Sequence, residues 1–308
     1  MLSIRNLSHS YGKKEVLHDL CTDVAQGEIF ALLGPNGGGK TTLFRILSTL
    51  LPPQKGSVLI AGFDLSENPA AIRSRMGVLF QHPALDKKLK VSENLRCNGL
   101  LYGLHGNELE NQIVKCAAAV GLSDRLGDSV ETLSGGMQRR AEIAKAILPS
   151  PSLLLLDEPS TGLDPSARIA CWEIFSELRK QGITIVLTTH LMEEAEKADR
   201  AAILHCGTLV ASGSPSDLCR ELGEFLLILR CACPEKLAPI LNGEPGVSFR
   251  QIGKEFRITA PDPSALASAI LHQHPDWVES STIARPSLDD VFAQKTGMTL
   301  SDAETQND

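Results

Sequence analysis

The sequence predicts an α/β fold with a mostly parallel sheet at its core and a second, smaller domain behind it, on three observations. Apolar runs at residues 29–33 (IFALL), 153–156 (LLLL) and 183–187 (ITIVL) are short and unbroken, as strands buried on both faces are. The first of them enters a glycine-rich loop and then Leu43, Ile46, Leu47 and Leu50 at helical spacing. The chain has 308 residues, which at about 150 residues per domain is two domains, and the pattern changes past Pro215.

Composition narrows the class. Hydrophobic residues are 43% and charged residues 22% of the chain, the balance of an ordinary folded protein rather than a disordered, collagen-like or disulfide-stapled one. The longest apolar runs fall well short of the ~20 residues that span a bilayer. The N-terminus lacks the apolar core of a secretory signal, so a cytoplasmic location is expected. Eight cysteines without paired CxxC spacing are then expected as buried thiols, with no transition metal. A net charge of −7 lacks the basic footprint of a nucleic-acid binder, so no nucleic acid is expected as partner. Any anion must be held by a local device.

That device is Gly34-Pro35-Asn36-Gly37-Gly38-Gly39-Lys40-Thr41, between a strand and a helix, with Thr42 next on the helix's first turn. The glycines let successive amides face a polyphosphate, Lys40 places a charge at the β and γ phosphates, and the Thr41 hydroxyl suits Mg²⁺. ATP or GTP with Mg²⁺ is the expected ligand. The next strand ends in Asp157-Glu158, where Asp157 would hold Mg²⁺ and Glu158 would reach an attacking water. The third ends in Thr188-Thr189-His190, which brings a histidine to the same sheet edge, where ligands of such folds sit. Leu133-Ser134-Gly135-Gly136-Met137-Gln138 opens a small-residue helix (Ala141, Ile143, Ala144, Ala146, Ile147) before Pro149 and is a second anion-binding start. One nucleotide does not need two such sites from one chain, so a second copy could supply the other half.

In these motifs and their order, with Gln81 after Val78-Leu79-Phe80 and Ser160-Thr161-Gly162-Leu163-Asp164 after Glu158, the chain resembles the nucleotide-binding subunit of an ABC transporter over roughly residues 1–215. The resemblance implies a P-loop NTPase cassette core with an antiparallel β subdomain and a helical insert at about 86–150. It also implies roles. Tyr11 would stack on adenine and Gln81 would reach Mg²⁺ and sense the membrane partner. Glu158 would polarise water, and His190 would contact the γ-phosphate. Ser134, Gly135, Gly136 and Gln138 would close over the ATP of a second subunit, with Asp164 coupling the two sites. Gly38, where the family more often has Ala or Ser, and Met137, where Gln is commoner, are departures that remove no donor.

Within the insert, Asn107 to Glu110 reads as a helix start with a reciprocal cap, and Ile113, Val114 and Ala117 as its buried face until Gly121. Strands and helices beyond Pro215 read in the order β-α-β-β-α-β: 225–230, 234–241, 247–251, 255–259, 263–272 and 278–283. That is a small α+β, ferredoxin-like pattern. The domains expected are a cassette at 1–218, an accessory domain at 219–297 and an acidic tail at 298–308 that frays from Ser301. Arg285-Pro286-Ser287-Leu288-Asp289-Asp290-Val291-Phe292 is similar to the tail of daunorubicin-resistance-type exporters. Together these imply a homodimeric ATPase on the cytoplasmic face of the membrane, driving export through a separate integral-membrane permease. A soluble ABC ATPase acting on translation or DNA, and a regulator without turnover, are the alternatives. Cys231, Cys233, His272 and His274 are not paired as metal ligands are.

Overall fold

The computed structural model describes residues 1–305, with the backbone alone for Ser301 and Glu304. The chain opens with β1 (Leu2–Tyr11) and β2 (Lys14–Val24), then β3 (Ile29–Leu33) and α1 (Lys40–Leu47). Next come β4 (Lys55–Ile60), β5 (Phe63–Asp64), α2 (Pro69–Arg73) and β6 (Met76–Leu79). Three helices follow: α3 (Val91–Leu101), α4 (Gly106–Ala119) and α5 (Gly135–Ile147). The chain then re-enters the core through β7 (Leu153–Asp157), α6 (Pro165–Lys180), β8 (Thr184–Thr189), α7 (Met192–Ala195), β9 (Arg200–His205) and β10 (Thr208–Gly213).

The central sheet has the order β10-β9-β3-β8-β7-β6, parallel except for β10. Its unbroken apolar strands have a simple cause. Alternate residues feed two different cores: Ala31, Leu33, Leu154 and Leu156 one of them, Phe30, Leu32, Leu153 and Leu155 the other. A strand covered on both faces has no solvent side to alternate with. The first core takes the insert helices α3 to α5, and the second is roofed by the antiparallel sheet β2-β1-β4-β5.

Helix α4 departs from expectation at its start. His105 is the N-cap, no side chain caps the helix, and Glu110 instead pairs both its oxygens with Arg96 of α3 at 2.8 and 2.9 Å. A bidentate guanidinium is the stronger partner. The buried face is Leu109, Ile113, Cys116 and Ala117. Val114 is exposed, because it lies about 100° round the helix from Ile113.

After α8 (Pro215–Arg220) come β11 (Leu226–Cys231), α9 (Pro234–Gly243), β12 (Ser248–Ile252), β13 (Glu255–Thr259), α10 (Pro263–Gln273) and β14 (Val278–Ala284). This is the β-α-β-β-α-β order expected. The strands form an antiparallel sheet, β12-β13-β11-β14, over a core of its own. Then α11 (Leu288–Thr296) and α12 (Leu300–Thr305) return to the first core, burying Leu288, Val291, Phe292, Leu300 and Ala303. The helix at 300–305 overlaps the segment expected to fray, and 306–308 lie outside the described residues. Arg257 of β13 ties the lobe to α11 through Asp290 at 2.6 Å and Asp289 at 3.1 Å. His274 stacks on Trp277, with ring centroids 3.8 Å apart.

Candidate active site

The parallel strands deliver their C-terminal residues to one edge. Register fixes the neighbours: Leu33 pairs with Thr189, and Asp157 with Thr188. The loop from Gly34 to Gly39 therefore lies beside the strand ends that carry Asp157, Glu158 and His190. Glycine is obligatory at two of its positions. A Cβ on Gly34 would overlap the Leu204 carbonyl oxygen, and Gly39 has φ +108° with its would-be Cβ 2.8 Å from the Leu17 side chain. A Cβ at Gly38 would lie 3.1 Å from the Pro35 carbonyl oxygen, a tight but smaller conflict. Helix α1 begins on Lys40 with Gly39 as its cap, so the first-turn N–H groups of Thr41 and Thr42 lack intrahelical partners and face the loop.

Lys40 is 4% exposed. Its Nζ donates to the Gly34 and Pro35 carbonyls at 2.7 and 3.1 Å and stands 3.7 Å from Glu158 Oε1. The other carboxylate oxygen of Glu158 gathers the rest of the site. Oε2 accepts from Gln81 Nε2 at 3.2 Å and Thr161 Oγ1 at 3.1 Å, and His190 Nδ1 lies 3.4 Å away. Residues from four separate segments thus meet on one side chain.

Glu158 is held there by an uncommon backbone, with φ +46°. A non-glycine residue in the left-handed region must be fixed by its surroundings. The Glu158 N–H donates to both the carbonyl and the hydroxyl of Thr188, at 3.1 and 3.0 Å. Arg139 of α5 donates to the carbonyls of Asp157, Glu158 and Pro159.

The two adjacent acids are pushed in opposite directions. Burial raises the Asp157 pKa above the ordinary range, and the 2.5 Å hydrogen bond from Thr188 only partly offsets it. Burial also pushes Glu158 up, but the His190 hydrogen bond and the Lys40 charge outweigh it and leave Glu158 below its usual value. A buried ammonium, a helix start aimed into a glycine loop and two buried carboxylates fit a nucleoside triphosphate with a divalent cation.

The other expected residues lie elsewhere. Tyr11 is exposed at the tip of the β1–β2 hairpin, edge-on to His9. Ser134 caps α5, accepting from Met137 N at 3.3 Å, and is exposed with Gly135. Gln138 turns back to donate to the Val130 and Leu133 carbonyls at 3.2 and 3.0 Å, so within its own chain it braces the loop before the helix. Asp164 caps α6 through Ala167 N at 2.9 Å and Ser166 Oγ at 2.5 Å. A cavity of about 250 Å³ brings Gly135 and Gln138 beside Gln81 and Thr161, and none of residues 34–42 lines it. Sequence reasoning missed Arg139, Thr161 and Thr188; only the fold brings their donors to Asp157 and Glu158.

The comparisons with known proteins meet this geometry. Residues 17–161 match the family model described as ABC transporter. The chain is 36% identical over 312 residues to the Nod factor export ATP-binding protein I of Sinorhizobium fredii, covering 98% of this chain and 87% of that one. The chain belongs to the ABC transporter family. It is 34% identical to the daunorubicin/doxorubicin resistance ATP-binding protein DrrA of Streptomyces peucetius, over 96% of this chain and 92% of that protein. Among solved structures, the dimeric structure of MJ0796, a bacterial ABC transporter cassette, aligns with TM-score 0.63 at 25% identity. The alignment covers 70% of this chain and 98% of that one. The chain is thus an ATP-binding, ATP-hydrolysing ABC subunit of the drug-exporter-type branch. Among its described residues no helix is long and apolar enough to cross a membrane.

Proposed function

We propose that this ABC ATPase powers export through a separate integral-membrane permease, as one half of a homodimer on the cytoplasmic face of the membrane. Two copies would clamp two ATP molecules head to tail. The observation that carries the reading is the split of the nucleotide machinery. Lys40, Gln81, Asp157, Glu158 and His190 converge on one sheet edge, while Ser134 and Gly135 form an exposed helix start, and the cavity that Gly135 shares with Gln81 is lined by none of residues 34–42. A helix start of that kind is suited to an anion brought by another molecule.

In this reading the loop amides from Gly34 to Thr42, with Lys40, bind the phosphates, and Tyr11 lies against adenine. Thr41, Gln81 and Asp157 would hold Mg²⁺, which would supply neutralisation of the phosphate charge. Glu158, anionic because His190 and Lys40 hold its pKa down, accepts the proton of the attacking water, and His190 donates toward the γ-phosphate. Ser134, Gly135 and Gly136 of each copy close over the other copy's ATP, with Asp164 at the junction. Contacts to the γ-phosphate exist only before cleavage, so closure lasts only until then.

The permease would dock on the insert. Leu100, Leu101 and Tyr102 are exposed there, and Tyr102 lines a cavity of about 380 Å³ with the exposed Leu50 and Phe80 of the neighbouring core. The relatives are named for Nod factor export and for drug resistance, which supports export as the direction. The lobe of β11 to β14 would be an accessory domain, within the division 1–218, 219–297 and 298–308.

Ser134→Arg tests the shared site. It places a bulky cation where the partner's nucleotide would close, so MgATP should no longer dimerise the protein in light scattering, while ATP binding by the monomer persists. An ATP-dependent dimer of unchanged mass in that variant would overturn the head-to-tail arrangement.

A further inference from the structure

The guanidinium of Arg139 has five N–H donors, and each has an acceptor. Nε donates to the Pro159 carbonyl at 2.6 Å. One terminal nitrogen donates to the Phe80 carbonyl at 3.0 Å and to Glu142 Oε2 at 2.8 Å. The other donates to the carbonyls of Asp157 at 3.3 Å and Glu158 at 3.0 Å. The residue is 7% exposed. Its acceptors are three consecutive carbonyls about the left-handed turn at Glu158, the peptide that leads into Gln81, and a carboxylate of its own helix. Glu142 in turn accepts from Ala84 N at 2.7 Å, on the far side of Gln81.

We infer that Arg139 is a positioning residue for hydrolysis, which fixes the backbone of Glu158 and the segment of Gln81 to the helix that Ser134 opens. The inference rests on the assignment of Glu158 as the group that activates water. The guanidinium donors of Arg139 all go to protein acceptors, so it acts through the peptide units on either side of the carboxylate. A helix that starts at Ser134 and is bolted five residues later to Glu158 carries any shift of its start to the base of the same chain. A planar five-donor fork is needed to span carbonyls from two strand ends at once. Lysine, a point charge with three donors, cannot span them.

The test uses the full-length chain with MgATP. Three variants are compared: Arg139→Lys, Glu158→Gln, and the double variant Arg139→Gln with Glu142→Gln. The double variant removes the buried charge pair together and leaves no unpaired carboxylate. Fluorescent-ATP titration reads binding, phosphate release reads turnover, and a thermal melt sets an assay temperature at which every variant is folded. Because 1 Å of misplacement costs on the order of 10²-fold in rate, both Arg139 variants should lose ten-fold or more in kcat while ATP affinity stays within about threefold. Loss of stability alone would lower the melt and leave kcat of the folded protein unchanged. A kcat within about twofold of wild type in the folded double variant, with Glu158→Gln inactive, overturns the role of Arg139 alone. Full turnover in Glu158→Gln overturns the assignment of the base, and the inference with it.

Discussion

Replacing Glu158 by Gln keeps the shape of the side chain and removes its charge. Two consequences follow, of opposite sign. The carboxylate stands 3.7 Å from Lys40 Nζ, with both groups buried. At an effective dielectric constant of about 20 the pair attracts by about 4.5 kcal/mol before desolvation is counted. That attraction holds the ammonium away from an incoming phosphate, so its removal leaves ATP affinity unchanged or raises it. The second consequence is the loss of the proton acceptor. General-base catalysis contributes about 10²–10⁴ in rate, or about 3–5 kcal/mol, and turnover should fall by that factor. Titration with a fluorescent ATP analogue and single-turnover phosphate release separate the two effects. Turnover within threefold of wild type would refute Glu158 as the base. A loss of affinity above ten-fold would refute the competition between Glu158 and phosphate for Lys40.

Lys40→Ala removes the cation of the loop and should weaken ATP binding by about 1.5–3 kcal/mol, the worth of a hydrogen bond to a charged group; equilibrium dialysis checks it. Burial pushes the Cys116, Cys171 and Cys219 thiols up to about 11, whereas Cys21, Cys97 and Cys206 are exposed. A thiol reagent at pH 8 should therefore modify Cys21, Cys97 and Cys206 rapidly and Cys116 and Cys171 only in urea, counted by mass spectrometry. Burial raises the pKa of Glu194, which accepts from Thr189 Oγ1 at 2.6 Å. A raised folded-state value gives stability that is full below the unfolded carboxylate pKa and is lost as pH rises through the folded one. Glu194→Gln should accordingly show a smaller drop in urea midpoint between pH 5 and pH 7.5 than the wild type.

Legibility differed between parts of the chain for physical reasons. The central strands were readable because both of their faces are apolar, and a run as short as Leu153 to Leu156, closed by Pro151 and Pro159, suits a buried strand better than a helix. The loop at Gly34–Gly39 was readable because its steric demands admit glycine alone at Gly34 and Gly39. The start of α4 was misread because a local capping pattern competed with Arg96, fourteen residues away, and lost. The lobe of β11 to β14 followed its periodicity, yet the packing of α11 and α12 into the first core could not be seen. Leu288, Val291 and Phe292 carry the spacing of any amphipathic helix, and nothing local says which core receives them. Arg139 was hidden for the same reason. Its value lies in five acceptors from three segments, and an arginine in a helix otherwise reads as a solvated charge.

Adjacent carboxylates on a strand end would ordinarily titrate alike, and here the fold keeps them apart. The two side chains have different partners. Asp157 is left among buried groups with Thr188 as its neutral donor, and a cation would be its natural counter-charge. Glu158 is left among Lys40, His190 and Gln81, donors that favour the anion. The division proposed between a metal-holding acid and a proton-accepting acid would therefore follow from burial at Asp157 and from the donors that surround Glu158. Thr188 donates to Asp157 and accepts from the Glu158 N–H, so Thr188→Val should disturb both acids at once, read as a fall in phosphate release in a variant that still melts as a folded protein.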